Sequence, residues 1–203
     1  MTSEYIHRRG LLAYLRGGFE IDWNGCHGIA HWARVRANGL MLAEQTGANR
    51  HVVELFAFLH DARRKNEGND QGHGWRGFVL AEQLRGRFFD VSNAEMDLLR
   101  QACVYHSDGL NMGDTTVLTC WDADRLDLGR VGLTPDPRYL GTRAARQENS
   151  LEIAHARAIA WVDRQNGWVT SSDHTSQFDH EIEGPLKWQH QQQCSVVRAS
   201  TTH

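Results

Sequence analysis

The feature that most constrains the fold of this chain is a succession of apolar segments whose hydrophobic residues recur at helical spacing. In the segment HVVELFAFLHD the recurring residues are Val52, Leu55, Phe56 and Leu59. The β-branched pair in this segment allows a strand, but the helical period and the length of the segment favour a helix. We therefore predict a buried helix that ends in the dipeptide His60-Asp61.

Other segments repeat this pattern and predict a bundle of helices. Residues 27–42 (HGIAHWARVRANGLML) have mixed three- and four-residue apolar steps, and Gly47 can end that helix. Ser92 and Glu95 form a capping-box pattern at the start of SNAEMDLLRQACVYH. The remaining predicted helices are WRGFVLAEQLRG, TTVLTCWDADRLDLGRVG (which Asp114 or Thr115 can cap) and NSLEIAHARAIAWVDRQ. The predicted fold class is all-α.

Length and composition predict one domain followed by a polar tail. The chain has 203 residues, of which 40% are apolar, so it can bury one sizeable core. The simplest division is one helical domain over residues 1–165. From residue 166 onward Ser, Thr, Gln and His predominate and the apolar period is lost. We expect residues 166–203 to form a mobile or loosely docked tail without catalytic residues.

Charge and cysteine usage exclude several classes of function. A formal net charge of −3 gives no basic field for non-specific binding of nucleic acid, so any anion site must be local. The four cysteines form no C-x-x-C pair, which argues against a zinc ribbon and fits reduced thiols. We expect no signal peptide at the N-terminus, because its apolar run is short and interrupted by charge, and no segment approaches the ~18 apolar residues of a membrane span. We expect a cytoplasmic protein.

Histidines and aspartates are the best candidates for chemistry, since the sequence has no glycine-rich phosphate loop, G-x-S-x-G or H-E-x-x-H motif. His31, the pair His60-Asp61 and Asp124 fall at the ends or faces of three separate apolar helices. Each residue alone has an ordinary explanation, such as a hydrogen-bonded core histidine or a salt-bridged acid. Together they indicate a divalent metal site, because acids and imidazoles spread over apolar helices need a cation.

This ordered set, seen in HWARV, FLHDARR and DADRLDLG, resembles that of the HD superfamily of metal-dependent phosphohydrolases, which are all-α proteins. The resemblance covers about residues 25–145 and is nearest to small stand-alone bacterial HD-domain proteins. It implies an HD-domain helical bundle whose metal ligands are His31, His60, Asp61 and Asp124. Within DADRLD the resemblance favours Asp124 as the metal ligand. Asp122 lies ~200° from Asp124 around the helix, whereas Asp127 lies on the same face as Asp124 and can orient a ligand.

Three further histidines extend the implied site. His73 and His106 resemble the extra histidines of histidine-rich HD proteins, which bind a second metal or contact substrate phosphate. The alternative is that both are solvent-facing loop histidines. His27 lies four residues before His31, hence on the same helix face, and we expect it to contact substrate at the periphery of the site.

Cations follow the His-Asp pair directly. Arg64 stands where many HD proteins carry a lysine, so the resemblance implies contact with substrate phosphate there, with Arg63 beside it on the rim. A solvated basic helix end is the alternative, mainly for Lys65. The implied catalytic residues are Asp61, Arg64 and His106.

The resemblance implies hydrolysis of a nucleotide or other small phosphoester by a metal-activated water. Imidazole and carboxylate ligands suit one or two ions of Mn, Fe, Co, Ni or Zn, and Mg less well. Two alternatives are a di-iron HD-fold oxygenase, for which the gap from His106 to Asp124 is short, and a metal-retaining, non-enzymatic ligand-binding module. The expected partner is a small phosphorylated substrate. The sequence has no membrane signal and no strong signal for nucleic-acid binding, and it is compatible with a homodimer.

Overall fold

The computed structural model describes residues 5–165, and seven α-helices make up most of this range. They are α1 (Arg8–Gly17), α2 (Ile29–Thr46), α3 (Arg50–Leu59), α4 (His73–Leu84), α5 (Asn93–Tyr105), α6 (Thr115–Arg125) and α7 (Glu148–Gln165). Short 3₁₀ helices lie at Leu128–Val131 and Pro137–Tyr139. Two short strands, β1 (Tyr5–Ile6) and β2 (Phe89–Asp90), pair antiparallel. The predicted all-α class is confirmed.

Helices α2, α3 and α6 form the centre of the bundle. Helix α2 packs along both α3 and α6, while α5 packs against α3, α4 and α6. Helix α7 lies against α2 and the 3₁₀ helix after α6. Large apolar side chains such as Trp32, Phe56 and Leu99 are fully buried in this core. Burial of an aliphatic or aromatic side chain contributes about 1.5 to 3 kcal/mol, so the core can hold polar groups at the helix ends in fixed positions.

Two glycines permit close helix approaches that shape the site. A Cβ atom on Gly39 would lie 2.5 Å from Val53 Cγ1, so the absence of a side chain lets α2 pack tightly on α3. A Cβ atom on Gly74 would lie 2.0 Å from the carbonyl oxygen of Cys103. The start of α4 therefore lies directly against the end of α5.

Several helix ends match the sequence predictions. Gly47 follows α2 with a φ of 72°, in the left-handed region where glycine is favoured. Ser92 and Glu95 form the predicted capping box at the start of α5. The side chain of Asp114 accepts a hydrogen bond from the Thr116 N–H, so Asp114 caps α6.

Other local predictions need correction. The helix predicted from residue 27 begins at Ile29, because Gly28 has an extended backbone, and His27 therefore precedes α2. The helix predicted through DLGRVG ends at Arg125, where the chain tightens into a 3₁₀ turn. Helix α1 and the two short strands were not predicted. Residues 166–203, the expected tail, lie outside the described residues.

Two further expectations concern the membrane and the cysteines. Among residues 5–165, no helix is both long enough and apolar enough to cross a membrane. Cys103 and Cys120 are free, and burial raises the pKa of both thiols. The expectation of reduced thiols is confirmed for Cys103 and Cys120, while Cys194 lies outside the described residues.

Candidate metal centre

Four predicted ligands meet where three helices begin or end. His31 lies in the first turn of α2, His60 and Asp61 directly follow α3, and Asp124 lies in the last turn of α6. His31 Nε2 is 3.4 Å from Asp124 Oδ1 and 3.6 Å from Asp61 Oδ2. His60 Nε2 is 3.5 Å from Asp61 Oδ2. All are buried, and we name the set of His31, His60, Asp61 and Asp124 the first ligand group.

Two more histidines approach Asp61 from another side. His73 is the first residue of α4, and His106 directly follows α5. Asp61 Oδ1 is 3.3 Å from His73 Nε2 and 3.8 Å from His106 Nε2. Both histidines are buried, so the alternative of solvent-facing loop histidines is wrong. We name Asp61, His73 and His106 the second ligand group, and Asp61 turns one oxygen toward each group.

Hydrogen bonds define where the protons of the four imidazoles lie. In each ring Nδ1 faces an acceptor. These are Asp127 Oδ2 for His31 (2.7 Å), Phe56 O for His60 (3.0 Å), Asp70 O for His73 (2.5 Å) and Cys103 O for His106 (2.7 Å). A neutral imidazole carries one N–H, and these acceptors hold it on Nδ1. All four Nε2 atoms are then left with a lone pair that points into the site.

These lone pairs face each other at short range. The Nε2 atoms of His31 and His60 are 3.1 Å apart, and those of His73 and His106 are 2.8 Å apart. Two facing lone pairs repel, whereas one cation attracts both. Two nitrogen ligands held ~2.1 Å from one ion at a right angle are about 3.0 Å from each other. The donor set therefore fits divalent metal ions, with Asp61 and Asp124 supplying negative charge.

The carboxylates of the first ligand group are held in the ionised form. Burial opposes ionisation of Asp61, but the charge of Arg64 holds its pKa well below the ordinary value. The pKa of Asp124 is lowered as well, although burial opposes its ionisation. Ionised carboxylates are the form that binds metal.

Arg64 lies inside the second ligand group and is only 1% exposed. Its Nη1 is 3.2 Å from both Asp61 Oδ1 and His73 Nε2, and its Nη2 donates to Gly68 O at 2.6 Å. Burial lowers the pKa of His73 to about 3. His73 is therefore neutral, and its Nε2 accepts a hydrogen bond from Arg64. The predicted contact of Arg64 with substrate phosphate stays a prediction.

The aspartates on either side of Asp124 have different partners. Asp127 is fully buried and accepts from His31 Nδ1, while Arg34 donates to both of its carboxylate oxygens at 2.6 and 3.0 Å. Asp127 therefore orients the His31 ring. Asp122 instead accepts from the N–H and the hydroxyl of Thr142, in the segment after α6. This geometry agrees with the predicted directions of the two side chains.

His27 and Arg63, which were predicted to contact substrate, lie outside both ligand groups. His27 Nδ1 is hydrogen-bonded to the carboxylate of Glu67, and the ring centroid of His27 is 6.2 Å from that of His31. Burial lowers the pKa of His27 to about 4. Arg63 donates to Gly18 O at 2.6 Å, which ties it to the segment after α1. Sequence reasoning missed Glu67, because its contact with His27 spans 40 residues and no motif marks it.

Comparison with known proteins supports this fold. Neither the models of protein families nor the curated proteins gave a match. Among solved structures, the crystal structure of a predicted HD superfamily hydrolase from an uncultured Thermotogales bacterium is similar, with a TM-score of 0.55 and 26% sequence identity. The similarity covers 81% of this chain and 94% of that chain. The protein is thus a helical bundle of the HD type, with buried His and Asp groups that could hold divalent ions. The resemblance to the HD superfamily is confirmed.

Proposed function

We propose that this chain is a metal-dependent phosphohydrolase that cleaves a nucleotide or another small phosphoester. One observation carries the proposal. The lone pairs of His31 and His60 face each other beside two ionised carboxylates, and no N–H donor among the described residues reaches either Nε2 atom. A divalent ion satisfies this arrangement and is a common reagent for hydrolysis of phosphoesters. The similar structure is also named a hydrolase.

The first ligand group would hold the principal ion through His31, His60, Asp61 and Asp124. A bound divalent ion supplies a Lewis acid and lowers the pKa of a coordinated water toward ~7, which yields a nucleophile for phosphorus. Asp127 keeps the N–H of His31 on Nδ1, so that Nε2 remains a donor of electrons. The expected metals are Mn, Fe, Co, Ni and Zn, with Mg less suited to imidazole.

Arg64 and His106 are proposed to act on the substrate phosphate. Negative charge builds up on the phosphate oxygens as the bond to the leaving group breaks, and a guanidinium meets it with paired N–H donors. The guanidinium of Arg64 and Nε2 of His106 both lie within 4 Å of Asp61 Oδ1. We propose that the second ligand group meets the phosphate at this place, through a second ion or directly.

One observation favours a second candidate function. The second ligand group raises the number of imidazoles around Asp61 to four, and a nitrogen-rich set of this kind suits iron. A di-iron oxygenase would use both ligand groups for iron. Uptake of oxygen without release of phosphate is the property that separates it from a phosphohydrolase.

The test combines metal analysis of the purified protein with phosphate release from a panel of nucleotides and phosphoesters in Mn, Mg, Co, Ni or Zn. Asp61→Ala removes the shared ligand. Asp136→Ala serves as control, since Asp136 pairs with Arg138 outside both ligand groups. We expect metal-dependent release from wild type and Asp136→Ala, but not from Asp61→Ala. Release that persists in Asp61→Ala contradicts the proposal, and bound iron with oxygen uptake favours the second candidate.

A further inference from the structure

A polar cleft lies at the opposite end of α3 from the metal centre. It has a volume of about 400 Å³ and lies between β1, α1, α2 and α3. Its lining includes the charged residues Arg8, Arg36, Arg50 and Glu54, together with His51 and Tyr5. His51 precedes His60 by nine residues, or roughly 13 Å along the helix axis, so the cleft is separate from both ligand groups.

Glu54 holds two of the guanidiniums of this cleft in place. Its side chain is buried and accepts from Arg8 Nε and Nη2 at 2.5 and 2.7 Å, and from Arg36 Nε at 2.6 Å. One carboxylate thus faces two guanidiniums, and the pair of arginines keeps a net positive charge. The third arginine, Arg50, is half exposed, and its one ion pair with a described residue is a 3.3 Å contact with the exposed Glu44. Such an exposed pair is weak and leaves Arg50 available to a ligand.

His51 lies beside these arginines and can report on occupation of the cleft. It lines the cleft and is only 7% exposed. Both of its ring nitrogens are shielded from solvent and have no hydrogen-bond partner among the described residues, so they are not donors to a ligand in the cleft. The helix N-terminus does not explain the cleft, since the Asn49 side chain already accepts from the N–H groups of His51 and Val52.

We propose that this cleft binds the phosphoryl group of a small anion, with Arg36 and Arg50 as the hydrogen-bond donors. The two donors come from two helices, α2 and α3. Guanidinium forks match phosphate oxygens in pairs, and His51 lies beside them as a reporter of the bound anion. Free phosphate and the phosphate of a phosphomonoester share this chemistry.

The test is an NMR titration of the folded protein with a diamagnetic ion such as Zn²⁺ in the metal centre. The ring signals of His51 are identified by their loss in His51→Gln. Inorganic phosphate, AMP and adenosine are added in turn, against sodium chloride of equal ionic strength. We expect phosphate or AMP to shift the His51 signals, while adenosine and chloride leave them in place. The stronger of the two phosphate ligands identifies the source of the phosphoryl group.

Variants then assign the site. Arg36→Gln should weaken the binding about tenfold or more, the size expected for a lost charge-assisted hydrogen bond. Arg50→Gln, at a half-exposed position, provides the same test if Arg36→Gln does not fold. Arg138→Gln is the matched control, because Arg138 also pairs with an acidic residue but lies outside the cleft. The proposal is overturned if neither phosphate ligand shifts the His51 signals. It is also overturned if the signals of the Arg36→Gln and Arg50→Gln variants shift as much as those of wild type. Either result holds whatever the outcome for phosphate release.

Discussion

The two ligand groups share Asp61 but differ in what satisfies their lone pairs. The first ligand group has two carboxylates, and its two Nε2 atoms meet no N–H donor from the described residues. The second ligand group has only the shared carboxylate, and Arg64 donates to Asp61 Oδ1 and His73 Nε2. In the second group a guanidinium therefore occupies two of the atoms that an ion would bind.

This difference predicts an order of metal binding. A divalent ion in the first ligand group meets two negative charges, whereas one in the second meets a single shared charge and the positive charge of Arg64. The ion must also displace the hydrogen bonds of Arg64 from Asp61 and His73. We expect the first ligand group to fill at low metal concentration and the second only at higher concentration.

Asp61→Ala is expected to have the largest effect, because it removes the ligand that joins the two groups. Metal content should fall in both groups, and phosphate release should fall on the order of 10³-fold or more, equivalent to ~4 kcal/mol. Mass spectrometry of bound metal and a phosphate assay measure the two quantities, with circular dichroism to verify the fold. An Asp61→Ala protein that keeps an ion at wild-type affinity would show that Asp61 is not the shared ligand.

Asp124→Ala and His106→Ala test the order of binding against each other. Asp124→Ala should lower the affinity of the first ion at least about 100-fold, since it loses a direct ligand. His106→Ala should leave the first ion bound and affect only binding at higher metal concentration. Calorimetric metal titrations of the two variants give the comparison. If both variants lose the same amount of affinity for the first ion, the two ligand groups are not separate sites.

Asp127→Asn should lower the affinity for the first ion by about 10- to 100-fold. Asp127 holds the His31 proton on Nδ1 but is not itself a metal ligand. Asp122→Asn is the matched control, as it changes a buried aspartate that binds Thr142 and not a ligand. Metal affinity of both variants is measured by competition with a chelator. If Asp122→Asn lowers the affinity as much as Asp127→Asn, the effect comes from general loss of stability rather than from orientation of His31.

The fold and the first ligand group could be predicted because their signals are local. Helical periodicity marks α3 and α6, and His60 and Asp124 fall at the ends of these strongly apolar segments. The ordered spacing of the ligands then carries the resemblance to the HD superfamily. Helix α1 was not predicted, because charged residues interrupt its apolar pattern. Only two of its residues, Leu11 and Leu15, are buried against the core.

The directions of charged side chains after α3 could not be predicted. Arg63 and Arg64 are neighbours in one basic run, yet Arg63 reaches Gly18 while Arg64 is buried beside Asp61. A run of charges has no period that distinguishes these directions once the helix has ended. They follow from how the loop folds back, and the contact of Glu67 with His27 depends on the same loop.

Acidification provides a smaller test of the second ligand group. The pKa of His73 is about 3 in the folded protein and 6.5 in its ordinary state, so between these values the unfolded chain binds a proton that the folded one does not. The free energy of unfolding should therefore fall as pH falls below about 6.5, by at most ~1.4 kcal/mol per pH unit from this group. Urea unfolding of chelator-treated wild type and His73→Gln between pH 7 and about 5 should give a shallower slope for the variant. Parallel slopes would mean that His73 is not held neutral by the fold.

The smallest expected effect is also the most specific to the comparison between the groups. Arg64→Gln removes the charge that competes with a second ion, so affinity for that ion should rise roughly three- to tenfold. Phosphate release should fall at the same time, because the guanidinium proposed to meet the phosphate is gone. Arg63→Gln is the control, since Arg63 is adjacent in sequence but bonds to Gly18. A general loss of structure lowers both quantities, so movement of the two in opposite directions identifies the role of Arg64. Unchanged phosphate release would count against the contact of Arg64 with substrate. A lower affinity for the second ion would show that Arg64 supports that site rather than competing for it.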